Sequence, residues 1–184
     1  MTDRDMQWAV TRVDGRIASV APHLGGAERT LARLQKVPFA EIGEITVRKM
    51  STDDLFALAA TLRWEDLMLM GSDFQLSVWK ALFTLSRGEE THLWSYTEFA
   101  ESMGKGSAVR NVAHAIGLNP VPVIIPCHLV IPKESLERLR ELEDESGLFR
   151  RKALHIIDRH IDYGEYAYGP RLKRALILRQ LGVD

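Results

Sequence analysis

The 184 residues contain one cysteine, Cys127, so no disulfide can close within the chain and its fold must rest on a core. No apolar run is long enough to span a bilayer and no charged-then-apolar leader opens the chain, so a cytoplasmic protein is expected. Neither sign of charge is in excess. A net charge of −1 gives no overall attraction to nucleic acid, and any DNA contact would need a locally basic or neutral face. Internal repeats and low-complexity segments are absent. Six histidines and one cysteine form no metal-ligand spacing, so neither a metal nor another cofactor is expected. What the chain has in quantity is apolar side chains, 46% of residues, enough for one full core or two small ones packed together.

Residues 6–13 and 16–21 flank Asp14-Gly15, a dipeptide suited to a tight hairpin turn because both central positions need positive φ. Residues 26–36 place Ala27, Leu31 and Leu34 on one side of a helix, 44–50 reads as a strand, and 53–63 as another helix. The pattern breaks at Gly71-Ser72-Asp73, so a small α/β domain over 1–70 and a mostly helical domain over 71–184 are expected.

In the second part, Phe74, Val78, Leu82 and Leu85 recur at helical spacing over 74–85. Ser95 and Glu98 form an S-x-x-E capping box for a helix that stops at Gly104. A further helix starts at Ser107 and runs SAVRNVAHAI to Gly117. Joined by Gly104-Lys105-Gly106, the two make a helix-turn-helix candidate. Three prolines in NPVPVIIPCHLVI then forbid helix and predict an extended, locked path ending at Cys127. Residues 134–161 are charged and amphipathic, with Leu136, Leu139 and Leu142 on one stripe and Phe149, Ile156 and Ile157 on a later one. A last helix is expected over about 171–181.

A neutral thiol needs a nearby base or cation to become a nucleophile. His128 follows Cys127, but neighbouring side chains on a strand face opposite ways, so a relay would need a bridging water. Taken alone, the pair fits a buried thiol beside a core histidine equally well. The setting favours chemistry: a proline-locked segment straight after a helix-turn-helix can hold a reactive group beside DNA. The helix SAVRNVAHAI shows Ala108, Ala113 and Ala115 with one long cation, Arg110, a pattern that suits either packing through alanines or close approach to a groove.

The stretches GSDFQLSVWKAL, SYTEFA, AVRNVAHAIGLNPVPVIIPCHLVI and GEYAYG…LKRALIL together resemble the O6-alkylguanine-DNA alkyltransferases, and the N-P-x-x-x-x-x-P-C-H core is the most specific part. Coverage is good over about 71–132, fair over 164–180 and weak before 70. The resemblance implies a ribonuclease H-like N-terminal unit and a winged-helix-like C-terminal domain. It implies a monomer that binds double-stranded DNA without a cofactor and transfers a methyl or small alkyl group from O6 of guanine, with O4-alkylthymine as a second substrate, once and irreversibly, to Cys127. The damaged base must leave the duplex to react. Arg110 matches the family's arginine finger, on a recognition helix that lies in the minor groove with little sequence readout, where Ser107, Asn111, Ala113 and His114 would also face DNA. Tyr96 matches the tyrosine that donates a proton toward the leaving guanine. Asn119 matches the asparagine that ties the turn before the active-site strand, and His128 the histidine that takes the thiol proton through water. Pro126, Val130, Tyr166 and Ala167 fall around the alkyl pocket.

Three departures stand out. The family has arginine where this chain has Leu129, so an ion pair is lost or replaced. The glutamate that orients the histidine aligns with Gln180, which can accept a hydrogen bond but lacks the charge that stabilises imidazolium. The segment 132–163 is several helical turns longer than in the family, and its charge points to a solvated excursion. Alternative readings are a non-reactive lesion-recognition protein, a helix-turn-helix regulator and a cysteine hydrolase. Retention of Cys127 opposes the first, the scarcity of base-reading side chains on the helix the second, and the absence of a third triad member other than Gln180 the last.

Overall fold

The computed structural model describes residues 6–22, 28, 32, 43–85, 87–88, 91–146 and 161–182. Among them are two small sheets and six α-helices, a mixed α/β chain. It divides into two compact units, Met1–Phe83 with Asn119–Pro126, and Thr84–Leu118 with Cys127–Asp184. Most of the helix expected over 26–36, with Ala27, Leu31 and Leu34, lies outside the described residues, although Glu28 and Ala32 are helical. Among the described residues no helix is long and apolar enough to cross a membrane.

In the first unit, β1 (Gln7–Val13) and β2 (Arg16–Ala21) form the expected hairpin, with φ of 49° at Asp14 and 77° at Gly15. A turn with two positive φ values matches the twist of the strands it joins. β3 (Ile45–Ser51) pairs antiparallel on the other side of β1, giving the order β2-β1-β3. β1 and β2 are both buried and β3 is mostly exposed, so Trp8, Ala9, Val10 and Val13 of β1 lie in the core with Ile17, Ala18, Val20 and Ala21 of β2. Trp8 Nε1 donates to Thr52 Oγ1 at 3.0 Å, joining β1 to the start of α1 (Thr52–Thr61), whose N-cap is Ser51. α2 (Asp73–Leu85) buries Val78, Trp79, Leu82 and Phe83. The expected stripe is shifted, since Phe74 is half-buried and Leu85 is 39% exposed. Two aromatic residues beside Val78 and Leu82 outweigh the apolar positions at the helix ends.

Residues 119–126 are not the extended path that their prolines suggested. Asn119 folds them: its Nδ2 donates to the Ile125 carbonyl at 2.7 Å and its Oδ1 accepts from Val121 N at 3.0 Å. Ile125 N donates to Val121 O at 3.0 Å, which closes a turn containing Val123 at φ 72°. A β-branched residue there costs roughly 1–3 kcal/mol, sustained by its surroundings. Val20 N donates to Pro120 O at 2.9 Å and ties this turn to β2.

The second unit contains a parallel pair that the helical reading did not anticipate, β4 (Trp94–Ser95) with β5 (Val130–Ile131). Two-residue strands leave no periodicity to detect. α3 (Tyr96–Ser102) opens on the expected capping box, with Ser95 N donating to Glu98 Oε2 and Glu98 N to Ser95 Oγ, both at 3.1 Å. Gly104, at φ 68°, ends the turn after it. The second helix of the pair begins later than expected, as a 3-10 turn at Gly106–Ala108 followed by α4 (Val109–Gly117). Cys127–Leu129 is itself a 3-10 turn, and α5 (Lys133–Ser146) and α6 (Pro170–Gln180) complete the described helices.

Leu129 sits where the resemblance called for arginine, and it is 4% exposed in a cluster with Leu93, Ile131, Leu136, Leu139, Tyr163, Ile177 and Leu181. Apolar packing thus replaces an ion pair. The long segment is not simply a solvated excursion: α5 buries Leu136 and Leu139 while Glu137, Arg138 and Glu141 face water. The side chain of Leu142, with Phe149, Ile156 and Ile157, lies outside the described residues. Ser135 Oγ donates to Asp162 O at 2.6 Å, and Arg140 donates to Glu98 Oε1 at 2.5 Å, so α5 is tied to the loop before α6 and to α3. Replacing Leu129 with alanine should cost about 2–4 kcal/mol in urea unfolding. Leu129→Arg should cost no less, because its charge would have no partner in the cluster.

Candidate active site and DNA-facing helix

The turn Cys127–Leu129 follows the folded proline segment directly, and α6 packs against it. Cys127 is 6% exposed and His128 is fully buried. Consecutive residues of a 3-10 turn diverge by about 120°, so the two side chains are not on opposite faces as they would be on a strand. His128 Nε2 lies 2.5 Å from Gln180 Oε1. An amide oxygen can only accept, so Nε2 carries the proton and the basic lone pair is on Nδ1. Burial, reinforced by the charge of Lys173, lowers the His128 pKa to about 4 against the opposing hydrogen bond from Gln180. At neutral pH the ring is an uncharged acceptor.

Two tyrosines stand near the sulfur. Tyr96, the first residue of α3, has its pKa raised to about 12, first by burial and then by the negative charges of Cys127, Glu165 and Asp162. Tyr166 is raised well above the phenol range by burial and then by Cys127. Its buried hydroxyl makes no hydrogen bond of good geometry among the described residues. Its ring meets Tyr168 edge to face at 5.9 Å. Both phenols hold their protons at neutral pH.

Of the residues singled out from sequence, Cys127, His128, Tyr96, Gln180, Tyr166 and Val130 belong to the second unit. Val130 is buried in β5, and Ala167 is exposed in the turn closed by Gly169 N to Tyr166 O at 2.9 Å. Asn119 and Pro126 belong to the first unit, where Asn119 ties the turn that leads into Cys127. On α4 and the turn before it, Ser107, Arg110, Asn111 and His114 are exposed and Ala113 is half-buried, while Val112, Ala115 and Ile116 face the core. Ala115 is therefore a packing residue, one of the two roles open to the alanines of this helix. Lys173 was not singled out. It is 1% exposed, and Nζ donates to Tyr96 Oη at 3.3 Å. A lysine three and four residues before the apolar Leu176 and Ile177, on the stripe that ends at Gln180, is the signal that could have revealed it.

The lowered His128 pKa makes stability depend on pH. The unfolded chain binds this proton below about 6.5 and the folded chain only near 4, so stability falls as pH drops between those values. The loss should approach 3 kcal/mol, on the order of the full shift, in urea unfolding at pH 7 against pH 4.5, and should shrink in His128→Asn.

Residues 73–155 match the family described as the DNA-binding domain of 6-O-methylguanine DNA methyltransferase. The methylated-DNA–protein-cysteine methyltransferase of Mycobacterium tuberculosis (strain ATCC 25618 / H37Rv) is 48% identical over 66 residues, 36% of this chain and 38% of that protein. That of Methanosarcina barkeri is 51% identical over 61 residues, 33% of this chain and 37% of that protein. The matched stretch thus spans well under half the length of either relative. A crystal structure of O6-methylguanine-DNA methyltransferase from Pyrococcus kodakaraensis strain KOD1 aligns with 97% of this chain and 94% of that one, with a TM-score of 0.55 and 18% identity, a likeness of fold. The resemblance drawn from the motifs is borne out.

Proposed function

We propose that this chain, whose residues 73–155 match the DNA-binding domain of the 6-O-methylguanine DNA methyltransferases, repairs double-stranded DNA by moving a methyl or small alkyl group from O6 of guanine onto Cys127. The observation that carries the reading is the buried turn in which Cys127 adjoins His128, itself held by Gln180, on the chain that follows the helix pair. Such a thiol is protected from casual oxidants yet surrounded by groups able to manage protons. The thiolate attacks the alkyl carbon, the C–O6 bond breaks, and Tyr96 gives a proton to the leaving base. No step regenerates the thioether, so each molecule acts once.

The exposed side of α4 is the DNA-facing surface in this reading. Arg110 fills the place of the extruded nucleotide, and Ser107, Asn111, Ala113 and His114 lie along the backbone and groove. Pro126, Val130, Tyr166 and Ala167 bound the alkyl pocket, and Asn119 holds the turn that presents it. The division of labour runs from an α/β domain over 1–70, ribonuclease H-like in its antiparallel three-stranded sheet, to a DNA-binding and acceptor domain over 71–184, winged-helix-like around the helix pair. A cytoplasmic monomer that needs no cofactor completes the proposal.

Intact-protein mass spectrometry with peptide mapping tests it. After incubation with a duplex carrying one O6-methylguanine, the protein should gain a single methyl on Cys127, saturating at one per chain. Tight binding of that duplex without mass gain would favour a lesion-recognition protein, the reading to which Gln180 and Leu129 lend some support. Arg110→Ala should slow repair of the duplex by at least about tenfold, the scale of one lost charged contact, while reaction with free O6-benzylguanine stays near wild type. Equal losses on both substrates would remove Arg110 from base extrusion.

A further inference from the structure

A buried thiol cannot ionise unless positive charge is near it, because burial alone raises its pKa. In a site with a carboxylate behind the histidine, the imidazolium can supply that charge. Here the group behind His128 is the neutral amide of Gln180, at 2.5 Å. An uncharged acceptor stabilises the Nε2–H tautomer without stabilising a second ring proton. The positive charge has to come from another side chain.

α6 provides one. Lys173 and Gln180 are seven residues apart, two turns and about 10 Å along one face, and that helix packs on the turn Cys127–Leu129. Lys173 is 1% exposed. Its Nζ donates to Tyr96 Oη at 3.3 Å and lies 5.5 Å from the centre of the Tyr96 ring. Gly164, at φ 77°, lies beside it: a Cβ there would meet Nζ at an ordinary 3.5 Å and crowd Pro132 Cδ at 3.1 Å. A lysine placed so deeply against a hydroxyl is an expensive way to fill a core. The titratable groups that face it are Tyr96 on α3, Cys127 and His128 on the turn, and Asp162 in the loop before α6, while Glu165 faces Tyr96 and Tyr166 faces Cys127. Lys173 is the cation of this set.

We propose that Lys173 is the counter-ion of the Cys127 thiolate and the proton source behind Tyr96, a role that rests on the repair reading and that Gln180 makes necessary in this chain. Cys127 loses its proton to solvent in the resting protein and is held as thiolate by the ammonium. On reaction the S–C bond forms, the C–O6 bond breaks, and the guanine takes the Tyr96 proton. Lys173 then returns a proton to Tyr96. The ion pair ends as a neutral thioether and a neutral amine, so no net charge is left in the buried site. Burial lowers the Lys173 pKa to about 8 even against the attraction of Cys127 and Asp162, which makes the ammonium a ready donor once the thiolate has been consumed.

The test is the pH–rate profile of Cys127 alkylation by iodoacetamide, which needs no DNA. Lys173→Met should move the thiol inflection up by at least one pH unit and slow reaction at pH 7 about tenfold. Lys173→Arg should restore most of the wild-type profile, and Gln180→Glu added to Lys173→Met should recover part of it by reviving the imidazolium. A folded Lys173→Met with an unmoved inflection overturns the proposal. Should that variant fail to fold, nitrogen-15 NMR of His128 in the wild-type protein decides: the ring should stay neutral through the Cys127 titration, and an imidazolium signal appearing with the thiolate overturns the assignment. Absence of methyl transfer from O6-methylguanine duplex, with the pH behaviour as expected, would defeat the repair reading and leave the Cys127–Lys173 pair standing.

Discussion

The contact between α6 and the single turn Cys127–Leu129 is the interaction on which both the packing and the chemistry of the second unit depend. One side of α6 gives Ile177 to the apolar cluster that surrounds Leu129. Along its polar positions the same helix gives Gln180 to His128 and Lys173 to Tyr96. Reaction geometry and core stability are therefore not separable there. A shift of α6 by one residue would rotate its side chains by about 100° and remove both at once.

Leu129 and Gln180 look like two independent losses of charge when they are seen as letters. In the folded chain they are parts of one change. Leu129 packs with Leu136 and Leu139 from α5, a cluster that offers a charge no partner. The long charged segment therefore begins as packing: its inner leucines join the cluster, and Arg140 on its outer side pairs with Glu98 at the head of α3. Burial and the Arg140 pair act oppositely on Glu98, with the ion pair prevailing and the carboxyl pKa lowered. With apolar packing on one side of the turn and a neutral amide on the other, Cys127 and His128 sit in a dry setting, where each charge counts for more.

Local chemistry made some features legible from sequence alone. Asp14-Gly15 needs two positive φ values, and Ser95 with Glu98 forms a reciprocal cap, so the hairpin and the start of α3 follow from a few residues. The site motif around Cys127 could be located in the same way, because its prolines and Asn119 are local. What could not be read depends on partners far along the chain. The turn at 119–126 was taken as extended because prolines exclude helix but do not say which carbonyl Asn119 will bind. β4 and β5 are two residues each and exist by pairing across the second unit. Ala115 and Ala113 differ by two positions and look alike in sequence, yet α4 turns the first into the core. The burial of Lys173 shows only once the stripe it shares with Leu176 and Ile177 is seen to pack inward, because a lysine among arginines in a C-terminal helix carries no local mark of it.

Under the proposed repair function, burial also explains why a DNA-facing helix and the acceptor would be different parts of the chain. Cys127 is 6% exposed, so a base stacked within a duplex has no line of approach to its sulfur. Whatever reacts there has to leave its stack and enter a site whose polar groups are already oriented. A helix that meets DNA would need the opposite property, and α4 has it: an exposed face with the long cation Arg110 and a core face of small and branched side chains. A near-neutral chain would suit the proposed function, since a repair protein has to sample many undamaged sites and strong electrostatic binding would hold it at each one. Specificity would then lie in the energy of extruding a base, which is least for one that is already mispaired.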